Sequence, residues 1–126
     1  MKKEEKEILY QDLSSRLPYD VRVKYESITG KSLDKEGILD EINRRNVSIS
    51  GQRGYSLGLV KPYLRRMTSM TPTEKETYAK LLFPNLGGLY EDYYKALDYL
   101  HSRHLDYRGL IDKGLALEAP TGMYKL

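Results

Sequence analysis

The two histidines of this chain, His101 and His104, stand three residues apart, a spacing that puts both on one face of a helix. Two imidazoles placed this way can ligate a metal, with Asp98 or Asp106 as a carboxylate third ligand. Zinc hydrolysis would also need a general base at fixed spacing, as in His-Glu-x-x-His, and the sequence has none. The competing reading gives one histidine a packing role beside Leu97 and Leu100. The other then hydrogen-bonds a nearby carboxylate or carbonyl. We therefore expect no catalytic residue, no metal ligand and no cofactor, with a His-based metal-dependent enzyme last among the alternatives.

Other chemistries find less support. The chain has no cysteine, which removes disulfides, thiolate metal sites and cysteine nucleophiles. Ser48, Ser50, Ser56 and Ser69 lack a Gly-x-Ser-x-Gly elbow. Neither phosphate-binding glycine motif occurs. The Gly51 to Gly54 spacing matches the GxxG of KH domains, but that motif joins two helices. Here alternating residues flank it, so a hairpin turn is expected.

Charge placement is more informative. Net charge is +3 over 126 residues. No acidic residue falls between Glu41 and Glu74, while Arg44, Arg45, Arg53, Lys61, Arg65 and Arg66 do. With Tyr55 and Tyr63 interleaved, these residues form the candidate partner-binding set. Guanidinium groups and aromatic rings on a small sheet serve single-stranded nucleic acid binding, and equally the anchoring of a protein interface. The partner is thus expected to be a protein or a nucleic acid. A solvated face balanced by acidic C-terminal helices is the structural alternative.

These residues need a scaffold. Ile8, Leu9, Leu13 and Leu17 form a helical stripe over residues 2–17, and Pro18 stops it. From Tyr19 to Tyr25 apolar and charged residues alternate, predicting a half-buried strand with Tyr19, Val21, Val23 and Tyr25 inward. A turn is expected at Thr29, Gly30 and Lys31. Residues 33–43 are ambiguous in period: Ile38, Leu39 and Ile42 suit a helical step, while Gly37 and the resemblance given below favour a strand over 37–42. Alternation returns at 46–50, with Gly51 to Gly54 closing a hairpin into 55–60. Pro62 is expected to break the ladder.

Thr71, Pro72 and Glu74 together predict a capped helix start. That helix should run to about residue 83 with Tyr78, Leu81 and Leu82 buried, and Pro84 should stop it. A loop at 85–88 leads to a second helix over 89–104, with Leu89, Tyr93, Leu97 and Leu100 on its buried stripe. One or two helical turns over 107–113 should close at Gly114. Residues 115–126 have no period and read as an ordered, then fraying, tail. Six of the 12 tyrosines lie between Tyr90 and Tyr124, where a helical core can use a ring with a polar tip.

Three blocks carry a resemblance. Asp12 to Tyr19 fits Asp-Leu-x-x-Arg-Leu-Pro-Tyr, Ser69 to Thr71 gives Ser-Met-Thr, and His104 to Pro120 fits a HxDYRGLIxKGLALEAP ending. On these the chain resembles a family of uncharacterised small proteins from gut anaerobic bacteria, their phages and mobile elements. The resemblance implies phage or mobile-element cargo as the setting, and no activity. It marks Asp106, Tyr107, Arg108, Gly109 and Gly114 as a structural motif, in which Arg108 pairs with a carboxylate and Tyr107 pins the terminal turn.

The expectation is a single α+β domain. Residues 1–18 are helix, 19–63 a small antiparallel sheet (an SH3-like arrangement is one form it can take), 71–114 a helical pair, and 115–126 a tail. MKKEEKEIL lacks the apolar run of a secretory leader, and no segment nears the roughly 18 apolar residues that span a bilayer. A cytoplasmic, membrane-free setting is the default expectation. The expected function is non-catalytic binding through a basic, tyrosine-containing sheet face, with nucleic acid binding as the alternative.

Overall fold

The computed structural model describes residues 2–26, 33–82 and 90–125. The expected turn at 29–31, the loop at 85–88, Leu89 and the Phe83–Pro84 helix stop lie outside them. Helix α1, Lys3–Arg16, opens with the Glu5 carboxylate accepting the Lys2 N–H at 3.0 Å. It ends before Pro18, as expected. The chain then makes a 3₁₀ turn, Leu17–Tyr19, and reverses at Asp20 with φ 52°. The strand predicted from residue 19 therefore starts later, as β1, Arg22–Glu26.

Strands β2, Leu33–Ile42, β3, Asn46–Ile49, β4, Gln52–Ser56, and β5, Val60–Arg66, follow. Adjacent strands β1 to β4 pair antiparallel, and β5 returns to pair antiparallel with β1. The order β4-β3-β2-β1-β5, with a 3₁₀ turn at Leu57–Leu59 leading into β5, is the connectivity of an SH3-like sheet. The first half of β2 pairs with β1 and the second half with β3, so this one long strand carries the bend of the sheet.

Two expectations about this sheet need correction. The hairpin turn is Ser50–Gly51, with φ of 50° and 84°, the two positive values of a type I′ connection. Gly54 instead lies within β4, where a register shift opposes an extra β4 residue to β3. Its φ of 96° marks a bulge that favours glycine. Pro62 does not break the ladder. It sits inside β5 opposite Val23, and the strands on its other side begin pairing only from Tyr63, so the prolyl nitrogen faces no donor requirement there.

Helix α2, Pro72–Leu82, and helix α3, Tyr90–Ser102, pack on each other. The capping box of α2 is formed: Thr71 Oγ1 accepts the Glu74 N–H at 3.1 Å, and Glu74 accepts the Thr71 N–H at 2.9 Å. Tyr78, Leu81 and Leu82 are half-buried rather than buried. Among the described side chains of α3, Ala96, Leu100 and His101 are buried. Tyr93 is 56% exposed, one turn toward the N-terminus on the predicted stripe, and its ring meets that of Tyr94 edge-on at 6.4 Å.

The C-terminal segment does not fray. Strand β6, Leu105–Asp106, and strand β7, Leu117–Glu118, both pair parallel with β5, so the sheet is mixed. Between them the expected helical turns are a run of hydrogen-bonded turns. The Asp106 carboxylate accepts the N–H groups of Leu110 and Ile111 at 2.8 and 2.9 Å, and Gly114 closes the run at φ 75°. The core lies between α1 and the sheet. Leu9 and Leu13 meet Val21, Val23, Leu39, Ile49, Val60 and Leu64, with Leu110, Leu115 and Ala116 sealing one side. Truncating either α1 leucine to alanine should cost about 2–5 kcal/mol.

Candidate binding face

The basic residues of the acid-free stretch are divided by the sheet. Arg44 and Arg45 occupy the β2–β3 connection, which Asn43 shapes by accepting the N–H groups of Arg45 and Asn46 at 2.9 and 2.8 Å. Arg53 lies on β4, two strands across from β2. Arg65 and Arg66 end β5, four strands from β4 in the sheet order. They do not form one face.

Each group has its own environment. Arg44 Nη1 donates to both Glu7 carboxylate oxygens, at 2.6 and 2.8 Å, with the guanidinium 4.8 Å from the centre of the Tyr10 ring. Arg53 meets Glu41 only at 3.4 Å, with both side chains mostly exposed. Exposed pairs of this kind contribute at most about 1 kcal/mol. The Arg45 guanidinium is exposed and has no partner among the described residues. Lys61 is half-buried on β5 without an ion pair among them.

Arg65, Tyr55 and Tyr63 are corrections to the expected set, because all three are buried. Arg65 forks onto Glu74 at 2.7 and 2.8 Å and also donates to the carbonyls of Ser69 and Arg103. Arg103 reaches the same carboxylate at 2.8 Å. The hydrogen bond from Arg65 is the leading cause that holds the Glu74 carboxyl down at about 2. Tyr55 packs on Tyr25 at 4.6 Å and donates to Gln52. Tyr63 donates to Glu36, and burial, then that bond, raises its hydroxyl to about 12. Neither ring is available as a stacking platform.

Arg66 is shared by Asp112 at 2.9 Å and Glu118 at 3.3 Å. A cleft of about 320 Å³ opens beside it, lined by Arg65, Ser69, Glu118, Thr121 and Tyr124 among others. Both of its arginines already carry carboxylates, so it offers no free cation. The other notable groove, about 290 Å³, crosses β2, β3 and β4, with Glu41, Asn43, Asn46, Ser48, Arg53 and Gly54 in its wall. Only Arg53 of the expected set borders it. Sequence gave no signal for the rest, since Gly54 opens the groove through a bulge that depends on strand register.

The histidines do not share a helical face, because α3 ends at Ser102 and His104 takes φ 60°. His101 Nε2 is 2.7 Å from the Tyr107 hydroxyl. His104 stacks on Tyr124, and burial, reinforced by Arg16, Arg65 and Arg103, lowers it to about 4. Among the described residues no three His, Asp or Glu side chains converge as a metal-binding group. No helix there is long and apolar enough to cross a membrane.

The motif residues are joined instead to the chain's start. Asp12 and Arg16, both fully buried, pair at 2.8 Å. Arg108 reaches Asp12 at 3.2 Å, and Arg16 donates to the Leu105 carbonyl at 2.7 Å and lies 5.7 Å from the Tyr107 ring centre. Gly109 supplies φ 72° between them and the turns. The first and last blocks of the resemblance thus meet in one buried network. No family model matches the chain, and neither a curated protein nor a solved structure matches it.

Proposed function

We propose that this is a non-catalytic binding protein that meets an acidic protein partner through the end of its sheet bearing Arg44, Arg45 and Arg53. The observation that carries the reading is the contrast in how the cations are used. Arg65, Arg66 and, on this face, Arg44 are held by carboxylates, whereas the Arg45 guanidinium is exposed with no partner among the described residues and Arg53 is only loosely paired. Unsatisfied, exposed arginines are common anchors of protein interfaces. Phage or mobile-element cargo, the setting that the resemblance implies, is compatible with such a role and adds no chemistry.

Nucleic acid is the weaker reading for two reasons. Stacking on bases needs exposed rings beside the cations, and Tyr55 and Tyr63 are in the core. Glu7 and Glu41 also stand among the arginines, where they would repel phosphates. The test is affinity capture with wild-type protein and Arg45→Glu/Arg53→Glu, followed by oligonucleotide titration at low salt. We expect a partner retained by the wild type and lost by the variant, with no oligonucleotide bound. Oligonucleotide binding that falls linearly in log–log form with salt would replace this reading with the nucleic acid one.

A further inference from the structure

The groove across β2, β3 and β4 has the chemistry of a pocket for a single carboxylate. Ser48 forms part of its wall and is only 4% exposed, yet its hydroxyl makes no hydrogen bond with any described residue. The hydroxyl oxygen keeps contact with solvent in the groove, so its proton is available to an acceptor placed there. Beside it Gly54 leaves open space: a Cβ built there meets nothing within 4 Å. Arg53 borders the same space, with its guanidinium 3.4 Å from Glu41, against 2.6–3.3 Å for the other arginine–carboxylate pairs among the described residues.

We infer that this groove takes an aspartate or glutamate side chain from an extended acidic segment of the partner, and that Glu41 is the internal competitor for Arg53. The incoming carboxylate would accept from the Arg53 fork and from the Ser48 hydroxyl, and charge-assisted donors of this type are the strong ones. Arg45, on the neighbouring connection and without a side-chain partner among the described residues, supplies a second cation along the segment's path. The outer edge of β4 has no backbone partner among the described residues, which leaves room for such a segment to pass. This inference rests on the acidic-partner reading of the same face.

The test uses ¹⁵N-labelled full-length protein titrated with acetylated hexaglutamate, with hexathymidylate as the comparison. Amide shifts are expected at Asn46, Ser48, Arg53 and Gly54. Arg53→Gln should weaken binding by at least about fivefold, and Ser48→Ala by about threefold. Glu41→Gln should tighten it by about threefold by removing the competitor, an effect of the size that exposed pairs show. Glu41 and Arg53 are exposed, so these two variants do not depend on a perturbed core. Shifts that map elsewhere, a Glu41→Gln variant that binds no better, or a stronger response to hexathymidylate would each overturn the inference. If the groove stays silent while Arg45→Glu/Arg53→Glu still abolishes partner capture, the carboxylate pocket falls and the binding face stands.

Discussion

The ring of Tyr124 lies flat on the ring of His104, 3.6 Å between centroids and 12° from parallel. The same tyrosine donates its hydroxyl to the Tyr63 carbonyl at 2.7 Å and accepts the Arg22 N–H at 3.0 Å. One side chain, 102 residues from Arg22 in sequence, thereby ties the C-terminal segment to β1, β5 and the turn after α3. A tail that looked aperiodic is thereby held beyond its β7 pairing with β5.

Removing that clasp should be costly, and the cost should separate into parts. Tyr124→Phe keeps the stack and loses two hydrogen bonds, one of them at an exposed amide, so about 1 kcal/mol is expected. Tyr124→Ala also loses the ring contact and should cost about 2–3 kcal/mol. Urea unfolding of both variants checks this. Equal losses would mean that the stack contributes nothing.

Stability should fall in acid in two windows. His104 is lowered to about 4 from 6.5, chiefly by burial, so the unfolded chain takes up the proton first. Its contribution is complete above pH 6.5 and is lost as pH falls from 6.5 to 4, by at most about 3 kcal/mol. His101, also lowered by burial and then by Arg16, adds in the same sense. Glu74, held at about 2 against 4.5, contributes fully above pH 4.5 and loses that stability between 4.5 and 2. Asparagine tolerates the positive φ of position 104, so His104→Asn should reduce the slope of the upper window to the part that His101 contributes and leave the lower one. Denaturant midpoints measured from pH 7.5 to 3 decide it, and an unchanged slope between 6.5 and 4 in the variant would refute the assignment.

The buried Asp12 network should respond asymmetrically. Asp12 is the only carboxylate that pairs with Arg16 among the described residues, and both are fully buried. Asp12→Ala strands a buried guanidinium and should cost about 3–5 kcal/mol. Arg108 is 28% exposed, and Asp12 keeps Arg16 without it, so Arg108→Ala should cost about 1 kcal/mol. Neither change should alter partner capture by refolded protein at a temperature where the variant is folded. Normal melting of Arg108→Ala with lost binding would move Arg108 from structure to function.

What could be read from the sequence was local. The Thr71 and Glu74 capping box, the Gly114 closure and the inward positions of Val21, Val23 and Tyr25 each depend on spacings of a few residues. The fate of the basic stretch was not legible, because its neutralising partners are remote. Glu7 lies 37 residues from Arg44, and Asp112 lies 46 from Arg66. Glu74 looked like a cap alone, since Arg103 comes to it from 29 residues away. Burial of Tyr55 and Tyr63 follows from strand register, which one-residue slips would invert.

Gly37, where the periodicity was ambiguous, offers the sharpest test of the sheet. It pairs with Val23 on β1, and a Cβ there would lie 2.5 Å from Ile49 Cγ2 and 2.7 Å from Ser50 Oγ. Alanine would gain about 0.5–1 kcal/mol from reduced backbone freedom, but neither neighbour can move cheaply. Ile49 is 1% exposed in the core, and the Ser50 hydroxyl accepts the Ile38 N–H at 3.2 Å. Overpacking should therefore win, with Gly37→Ala destabilised by about 1–3 kcal/mol. Gly58→Ala is the matched control, because the one tight contact of its Cβ would be the flexible end of Lys6 at 3.3 Å, with Ser56 Oγ at an ordinary 3.9 Å. It should melt within about 0.5 kcal/mol of wild type. If both variants melt alike, β2 does not cross β3 at the bend described, and the groove above Ser48 would lose its floor.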